Sequence, residues 1–138
     1  MNVDINWMAV VLATASTMIV GSIWYTPKVF GNTWMKLAKV KPSGTASDGA
    51  GAMILALLAS FVTAYVLAHV TFLAHHYFGN SYMHDALSTA FWVWLGFTAA
   101  RFITHDAFEM RPFKLTFLNV THELVTFMVM GAIIGWIH

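Results

Sequence analysis

Hydrophobic residues in this chain fall into four long runs separated by short polar stretches. The runs cover about residues 6–25, 49–72, 85–103 and 113–136. A helix rises about 1.5 Å per residue, so about 20 residues cross the roughly 30 Å hydrocarbon core of a bilayer. Each run has about that length. The pattern predicts an all-α fold: a four-transmembrane-helix bundle that forms a single integral membrane domain over residues 1–138.

The composition supports a lipid environment. Hydrophobic residues make up 59% of the chain and charged residues 9%, far from the usage of a soluble globular domain. The leader Met1–Asp4 has no Lys or Arg, so we expect the first run to stay in the mature protein rather than act as a secretory signal. The chain has no cysteine, which excludes disulfides and Cys-based metal sites, and its net charge of +1 gives no general attraction for nucleic acid.

Basic residues occur in two of the three connections. Four lysines, Lys28, Lys36, Lys39 and Lys41, lie between the first and second runs, and Arg101, Arg111 and Lys114 surround the connection between the third and fourth. Cytoplasmic loops carry an excess of Lys and Arg. The sequence therefore predicts that both basic connections are cytoplasmic and both termini lie outside, in a membrane of the bacterial inner (cytoplasmic) type.

Small residues recur every fourth position in the first two spans. In span one they are Ala9, Ala13, Thr17 and Gly21, and in span two Ala52, Ala56, Ser60, Ala64 and Ala68. This spacing places them on one stripe of a helix, where they permit close approach of a second helix. We expect these stripes to mediate helix packing, within the chain or in a homo-oligomer.

The first connection contains a further predicted element. Pro27 ends span one, and the segment Thr33–Val40 has the pattern of a short helix lying on the membrane surface, with apolar residues on one side and lysines on another. The next residues, Lys41–Gly49, are rich in Pro, Ser and Gly and predict a flexible linker. Ser47 or Asp48 is the expected N-cap of span two.

The fourth span carries polar residues where a lipid-facing helix has only apolar ones. On a helical wheel Asn119, His122, Glu123 and Thr126 share one side with Met130, whereas Gly131 and Gly135 form a Gly-x-x-x-Gly pair that points away. An acidic residue inside a span costs about 2.5 to 3.5 kcal/mol on insertion scales. Glu123 therefore needs a partner or a proton, and the depth of Arg101 makes it the best candidate neighbour.

Two interpretations of this polar side remain open. In the first, Arg101, Asn119, His122, Glu123 and Thr126 satisfy one another and fix the register of helices or subunits. In the second, they line a water-filled path in which His122 and Glu123 relay protons or bind a small cation. So short a chain has too few helices for a spacious internal channel, so we expect any pore to form at an oligomer interface.

Metal, haem and enzyme chemistry have weaker support in the sequence. His75, His76 and His84, next to Asp85, are candidate metal ligands without a specific spacing. His69 and His122 lie at different depths, which disfavours a haem between two spans. We find no nucleophile–base pair, phosphate-binding loop or HExxH motif, and so we expect no cofactor and favour a role other than an enzyme.

Several short segments together resemble a family of small bacterial membrane proteins known as domain of unknown function 1761. They are Asn6-Trp7, Gly21 with Trp24-Tyr25 and Pro27, Phe30-Gly31, Trp34, Phe108-Glu109, Arg111–Leu115, Asn119 and Met130–Gly135. The resemblance runs over nearly the whole chain and implies a four-span membrane protein without assigned catalytic residues. The family tends to have an aromatic-His pair after the Asn, where this chain has Thr121-His122-Glu123.

The sequence thus predicts an integral membrane protein that contacts lipid and forms a homo-oligomer. Its first predicted role is that of a structural or interaction component. The alternative is a small proton- or ion-conducting transport unit that uses the polar side of the fourth span.

Overall fold

The computed structural model describes residues 3–40 and 47–138. It is 84% helical. The helices are α1 Trp7–Trp24, α2 Gly31–Ala38, α3 Ser47–Phe78, α4 Tyr82–Val93, α5 Ala100–Phe108 and α6 Phe113–Trp136, with a π-helical segment, Trp94–Ala99, joining α4 to α5. Four helical stretches are long and apolar enough to cross a membrane: Trp7–Trp24, Gly49–Phe78, Tyr82–Phe108 and Phe113–Trp136. The predicted all-α fold with four spans and a short helix after the first is confirmed.

The four spans pack in a ring, in which α1 and α4 each lie between α3 and α6. The core contains Ala9 and Ala13 of α1, Ala64 and Leu67 of α3, and Met130 of α6, all at most 2% exposed. Small residues thus fill the positions where α1 and α3 meet, and larger side chains close the centre. This packing is the one that the fourfold spacing in both helices predicts.

The N-terminus of α1 is tied to the C-terminus of α6 through one side chain. Asn6 caps α1, because its Oδ1 accepts hydrogen bonds from the amides of Met8 (3.0 Å) and Ala9 (3.3 Å). Its Nδ2 donates to the carbonyl of Ile137 at 2.5 Å. The start of α1 and the end of α6 therefore lie at one end of the bundle, which we call the terminal end.

The opposite end holds the basic connections, and we call it the basic end. Here α2 packs against α6, and Lys114 lines a small cavity with Trp24, Phe30 and Thr33. Gly31 is buried, and a Cβ there would collide with the carbonyl oxygen of Tyr25. Glycine at this position therefore permits the sharp turn from α1 into α2.

The second span is longer than its predicted range of 49–72. The helix continues to Phe78 because the polar residues at its end have partners: His75 Nδ1 lies 3.1 Å from Asp85 Oδ2, and His76 Nδ1 lies 3.0 Å from the carbonyl of Phe72. At the other end, helix α3 includes Ser47–Gly49, which corrects the predicted linker there. The remaining linker positions, 41–46, lie outside the described residues, and so do the side chains of the expected caps Ser47 and Asp48.

The third span begins before its predicted start at Asp85 and ends after Ile103. Ser81 provides the N-cap, since its hydroxyl accepts from the amide of His84 at 3.3 Å. The π-helical segment interrupts the α-helical ladder midway, and at its first residue Trp94 Nε1 donates to the carbonyl of Val120 on α6 at 3.0 Å. The indole thus fixes this irregular segment against the fourth span.

Gly131 and Gly135 lie where α6 meets α4. A Cβ on Gly131 would be 2.8 Å from the Cβ of Ala90, and one on Gly135 would be 2.9 Å from the Cα of Met83. Real Cβ atoms essentially never approach so closely. The Gly-x-x-x-Gly pair therefore packs the fourth span against the third within one chain.

Candidate binding cavity

A cavity of about 540 Å³ lies between α1, α3 and α6. Each helix contributes both polar and apolar side chains to its wall. From α1 come Thr17, Met18, Gly21, Ser22 and Tyr25; from α3 come Met53, Ala56, Ala59, Ser60 and Thr63; and from α6 come His122, Glu123, Thr126, Phe127 and Met130. The volume is in the range of small-molecule sites in proteins.

The cavity has a closed side and an open side. Thr17 Oγ1 donates to Ser60 Oγ at 3.0 Å, which joins α1 to α3. From there toward the terminal end the stripe of α3 is buried, with Ala64 at 0% and Ala68 at 5% exposure. Toward the basic end, Ala52 and Ala56 of the same stripe are exposed. The two helices therefore separate beyond Ser60, and the cavity occupies the space that opens between them.

His122 lies between two aromatic rings at the wall of this cavity. Its ring centroid is 5.0 Å from that of Tyr25 and 5.7 Å from that of Trp24. Its Nδ1 is 3.4 Å from Glu123 Oε1, and its side chain is 13% exposed. A Cβ on Gly21 would stand 3.9 Å from His122 Nε2, an ordinary van der Waals contact, so α1 passes close to the imidazole at this residue.

Two buried nitrogens near this position have no hydrogen-bond partner among the described residues: His122 Nε2 and Trp24 Nε1. Such groups are uncommon in native proteins, because an unpaired buried polar atom costs about 1–3 kcal/mol. The imidazole of His122 is therefore positioned by its ring contacts with Tyr25 and Trp24 and by the nearby Glu123 carboxylate, while its Nε2 has no hydrogen-bond partner in the described part of the chain.

Glu123 is more accessible than its neighbour. Its side chain is 30% exposed, and among the described residues its ion-pair partner is His122, the adjacent residue on the same helix. Within the described part of the chain, no side chain from another span forms an ion pair with the Glu123 carboxylate. The carboxyl group therefore faces the cavity, where it can exchange a proton or meet a cation.

The other members of the predicted polar group lie apart from this pair. Arg101 is exposed and lines a different cavity, near His105 and Arg111. Thr126 is buried and lines the cavity, but its hydroxyl donates to the carbonyl of His122 on its own helix at 3.0 Å. Asn119 is half-buried and is not part of the cavity wall. The structure thus brings together His122, Glu123 and Thr126 and does not bring Arg101 to them.

The candidate metal ligands at the terminal end surround one buried carboxylate. Asp85 has 2% side-chain exposure and is approached by His75 Nδ1 at 3.1 Å and by His84 Nδ1 at 3.5 Å, while Asn80 donates to it at 2.9 Å. His76 turns away to its own helix. Within residues 3–40 and 47–138, no three His, Asp or Glu side chains are arranged to hold a metal ion. The cluster is a hydrogen-bonded link between α3 and α4.

Two features of the polar interior were missed in the sequence. Asp106 is buried and accepts a hydrogen bond from Thr116 Oγ1 at 2.7 Å, with Arg111 Nε 3.7 Å from its other oxygen. Tyr25 and Ser22 line the central cavity. The ten-residue spacing of Asp106 and Thr116 across a proline turn is the sequence signal for their contact. The position of Tyr25 and Ser22 at the cavity depends on how far α1 and α3 separate, which no local sequence pattern encodes.

These features define a small multi-pass membrane protein with a cavity between three of its helices, lined by both polar and apolar side chains. The model of a family described as "Protein of unknown function (DUF1761)" matches residues 8–135, and the chain belongs to this family. The family resemblance predicted from the sequence is thereby confirmed. Comparisons with curated proteins and with solved structures gave no match.

Proposed function

We propose that this protein is a small membrane transport unit that takes up a proton or a small cation at Glu123 and His122. The observation that carries the proposal is the position of the Glu123 carboxyl group, partly exposed at the wall of a 540 Å³ cavity inside the bundle. Ionisable residues within spans are costly and most often mark ion or proton pathways. A cavity beside such a group gives the ion a place to bind.

The competing interpretation is a closed network that only fixes the helices. Such a network requires side chains on different spans to satisfy one another. Here Glu123 pairs with the residue next to it, and Thr126 bonds within its own helix. Neither contact joins two spans. Contacts that do join spans are found elsewhere, at Thr17–Ser60, Trp94–Val120 and Thr116–Asp106, so the fold does not need Glu123 for its register.

Flux measurements in proteoliposomes test this proposal. We expect the purified protein to conduct protons or monovalent cations, followed with an internal pH dye and imposed gradients. Glu123→Gln should reduce the rate at least tenfold, and His122→Ala should reduce it as well, because both remove a proton-exchanging group from the cavity.

Glu109→Gln is the matched control, since Glu109 is a carboxylate with 52% side-chain exposure that pairs with Arg111 outside the cavity. It should leave the flux unchanged. An absence of flux in the parent protein, or flux that neither cavity substitution alters, would refute the transport function.

A second candidate role, as a homo-oligomeric structural component, is supported by the first half of α3. Ala52 and Leu55 lie on one side of α3, about 60° apart around the helix, and both are exposed within the chain. We infer that Ala52 contacts a second copy. Ala52→Leu should then reduce the oligomer size in detergent, whereas Ala50→Leu, on the opposite side of the helix, should not. If the oligomers of both variants have the same mass, Ala52 does not contact a second copy.

We further propose a bacterial-type inner membrane, with the basic end in the cytoplasm and both termini outside. Lys114 lies beside residues of the first connection, so the two basic connections share one end of the bundle. Connections rich in Lys and Arg stay on the cytoplasmic side during insertion. Lipid covers the remaining apolar faces of the spans.

A further inference from the structure

The side chains that line the cavity indicate a narrower class of ligand than small cations in general. The ionisable groups of the wall, Tyr25, His122 and Glu123, lie toward the basic end of the cavity, next to Ser22. The rest of the wall combines large apolar side chains, chiefly Met18, Phe127 and Met130, with uncharged hydroxyl groups of Thr17, Ser60, Thr63 and Thr126. A ligand that fills this space therefore needs one polar, charged part and a larger apolar part.

The sign of the charge follows from Glu123. Among the residues that the structure describes, Glu123 is the only acidic side chain in the wall of the cavity, and none of the described Lys or Arg residues lines it. An anionic ligand would meet a like charge in a low-dielectric setting, which is unfavourable. A positively charged group would compensate Glu123 and reduce its cost within the span.

A bare metal ion fits the cavity less well than an organic cation. Hard metal ions take about six to eight oxygen ligands or keep their waters. The wall offers one carboxylate and a few hydroxyl groups, and no cluster of three His, Asp or Glu side chains is found within the described ranges. The three methionines instead provide flexible apolar contacts that adapt to ligands of different shapes.

The open side of the cavity indicates the route of entry. Beyond the Thr17–Ser60 hydrogen bond, α1 and α3 separate, and Met53, Ala56 and Ala59 of α3 are exposed. Ser60 is eleven residues from Gly49, which places this opening within about 17 Å of the start of the span. The opening therefore faces the hydrocarbon region, which a ligand must first enter by partitioning into the membrane.

We propose that the cavity binds lipophilic organic cations that enter from the bilayer, with the charged group beside Glu123 and the apolar part among Met18, Phe127 and Met130. This inference rests on the proposed function. On binding, the positive charge of the ligand pairs with the Glu123 carboxylate, so that the cation and the carboxylate form a neutral pair within the span.

Equilibrium dialysis of the protein in nanodiscs with tetraphenylphosphonium tests this ligand class. Empty nanodiscs give the lipid background, and tetraphenylborate is a probe of the same shape and opposite charge. We expect saturable binding of the cation alone, because the Glu123 carboxylate attracts a positive charge and repels a negative one. Glu123→Gln should weaken binding at least tenfold.

Ala59→Phe provides a second variant that keeps the carboxylate but fills the cavity, since Ala59 lies in its wall and is exposed. It should also abolish binding, whereas Ala50→Phe, outside the wall, should not. Equal binding of tetraphenylborate, or cation binding unaffected by both cavity variants, would overturn the assignment. If Glu123-dependent proton flux persists without cation binding, the ligand class is wrong and the transport function stands; if both are absent, both proposals fail.

Discussion

At the residue scale, the pair His122 and Glu123 differs from the other buried polar groups of the protein. Asp85 and Asp106 are nearly fully buried and have hydrogen-bond partners on other elements. Glu123 is partly exposed and its partner is its neighbour in sequence. Buried, fully bonded carboxylates stabilise a fold, whereas a carboxylate at a cavity wall remains able to react. We therefore separate the first two as structural groups from Glu123 as a functional one.

The structural group at Asp106 supports a direct stability prediction. Thr116→Val removes the hydroxyl that donates to Asp106 at 2.7 Å and leaves a buried acceptor with one fewer partner. We expect a loss of about 1–3 kcal/mol in the free energy of unfolding, seen as a lower midpoint in thermal unfolding in detergent.

Thr104→Val is the control, because Thr104 is exposed and bonds only the carbonyl of Ala100 on its own helix. Its unfolding midpoint should stay within error of the parent. If the two variants melt together, the Thr116–Asp106 contact contributes nothing to stability.

At the element scale, periodicity predicted the helices well and their ends less well. The spacing of Gly131 and Gly135 identified a packing side of α6, and the structure places α4 against it. The predicted end of α3, at residue 72, is too early, because the helix continues through His75 and His76. Asp85, the partner of His75, comes within reach only once α4 has folded back, whereas His76 bonds the carbonyl of Phe72 on its own helix. Helix ends that depend on tertiary contacts are not encoded in local sequence.

The contact between α4 and α6 predicts the effect of adding a single methyl group. Gly131→Ala places a Cβ 2.8 Å from that of Ala90 and 3.1 Å from the carbonyl oxygen of Ala86. Backbone atoms cannot yield easily, so the helices must move apart at a cost of about 1–3 kcal/mol.

Gly96→Ala is the matched control within a span, since a Cβ there meets nothing within 4 Å. Thermal unfolding should therefore show a lower midpoint for Gly131→Ala and no loss for Gly96→Ala. An unchanged midpoint for Gly131→Ala would mean that α4 and α6 are less closely packed than described.

At the scale of the whole molecule, α1 and α3 pack closely from Thr17 and Ser60 toward the terminal end, where the core residues lie, and they separate toward the basic end. The sequence predicted the polar side of α6, but whether it met protein or a cavity depended on the angle between two other helices. Arg101 was predicted from depth alone, and its orientation around the third span carries it to another cavity.

The orientation of the whole bundle is tested by two fused reporter proteins, each of which is active on only one side of the membrane. With the termini outside, alkaline phosphatase fused after His138 should be active and a green fluorescent protein at the same position should stay dark. The same two reporters inserted between α2 and α3 should give the reverse pattern. Fluorescence at the terminal position would invert the proposed orientation.

We propose that the Glu123 carboxyl group faces a cavity that is reachable from the bilayer. Dicyclohexylcarbodiimide, an apolar reagent that modifies protonated carboxyl groups, measures this directly when labelled peptides are read by mass spectrometry. We expect modification of Glu123 in the folded protein in membranes, while the buried Asp106 stays unmodified. If Glu123 reacts only after the protein is unfolded, its side chain is enclosed by protein, which contradicts a cavity open to the bilayer.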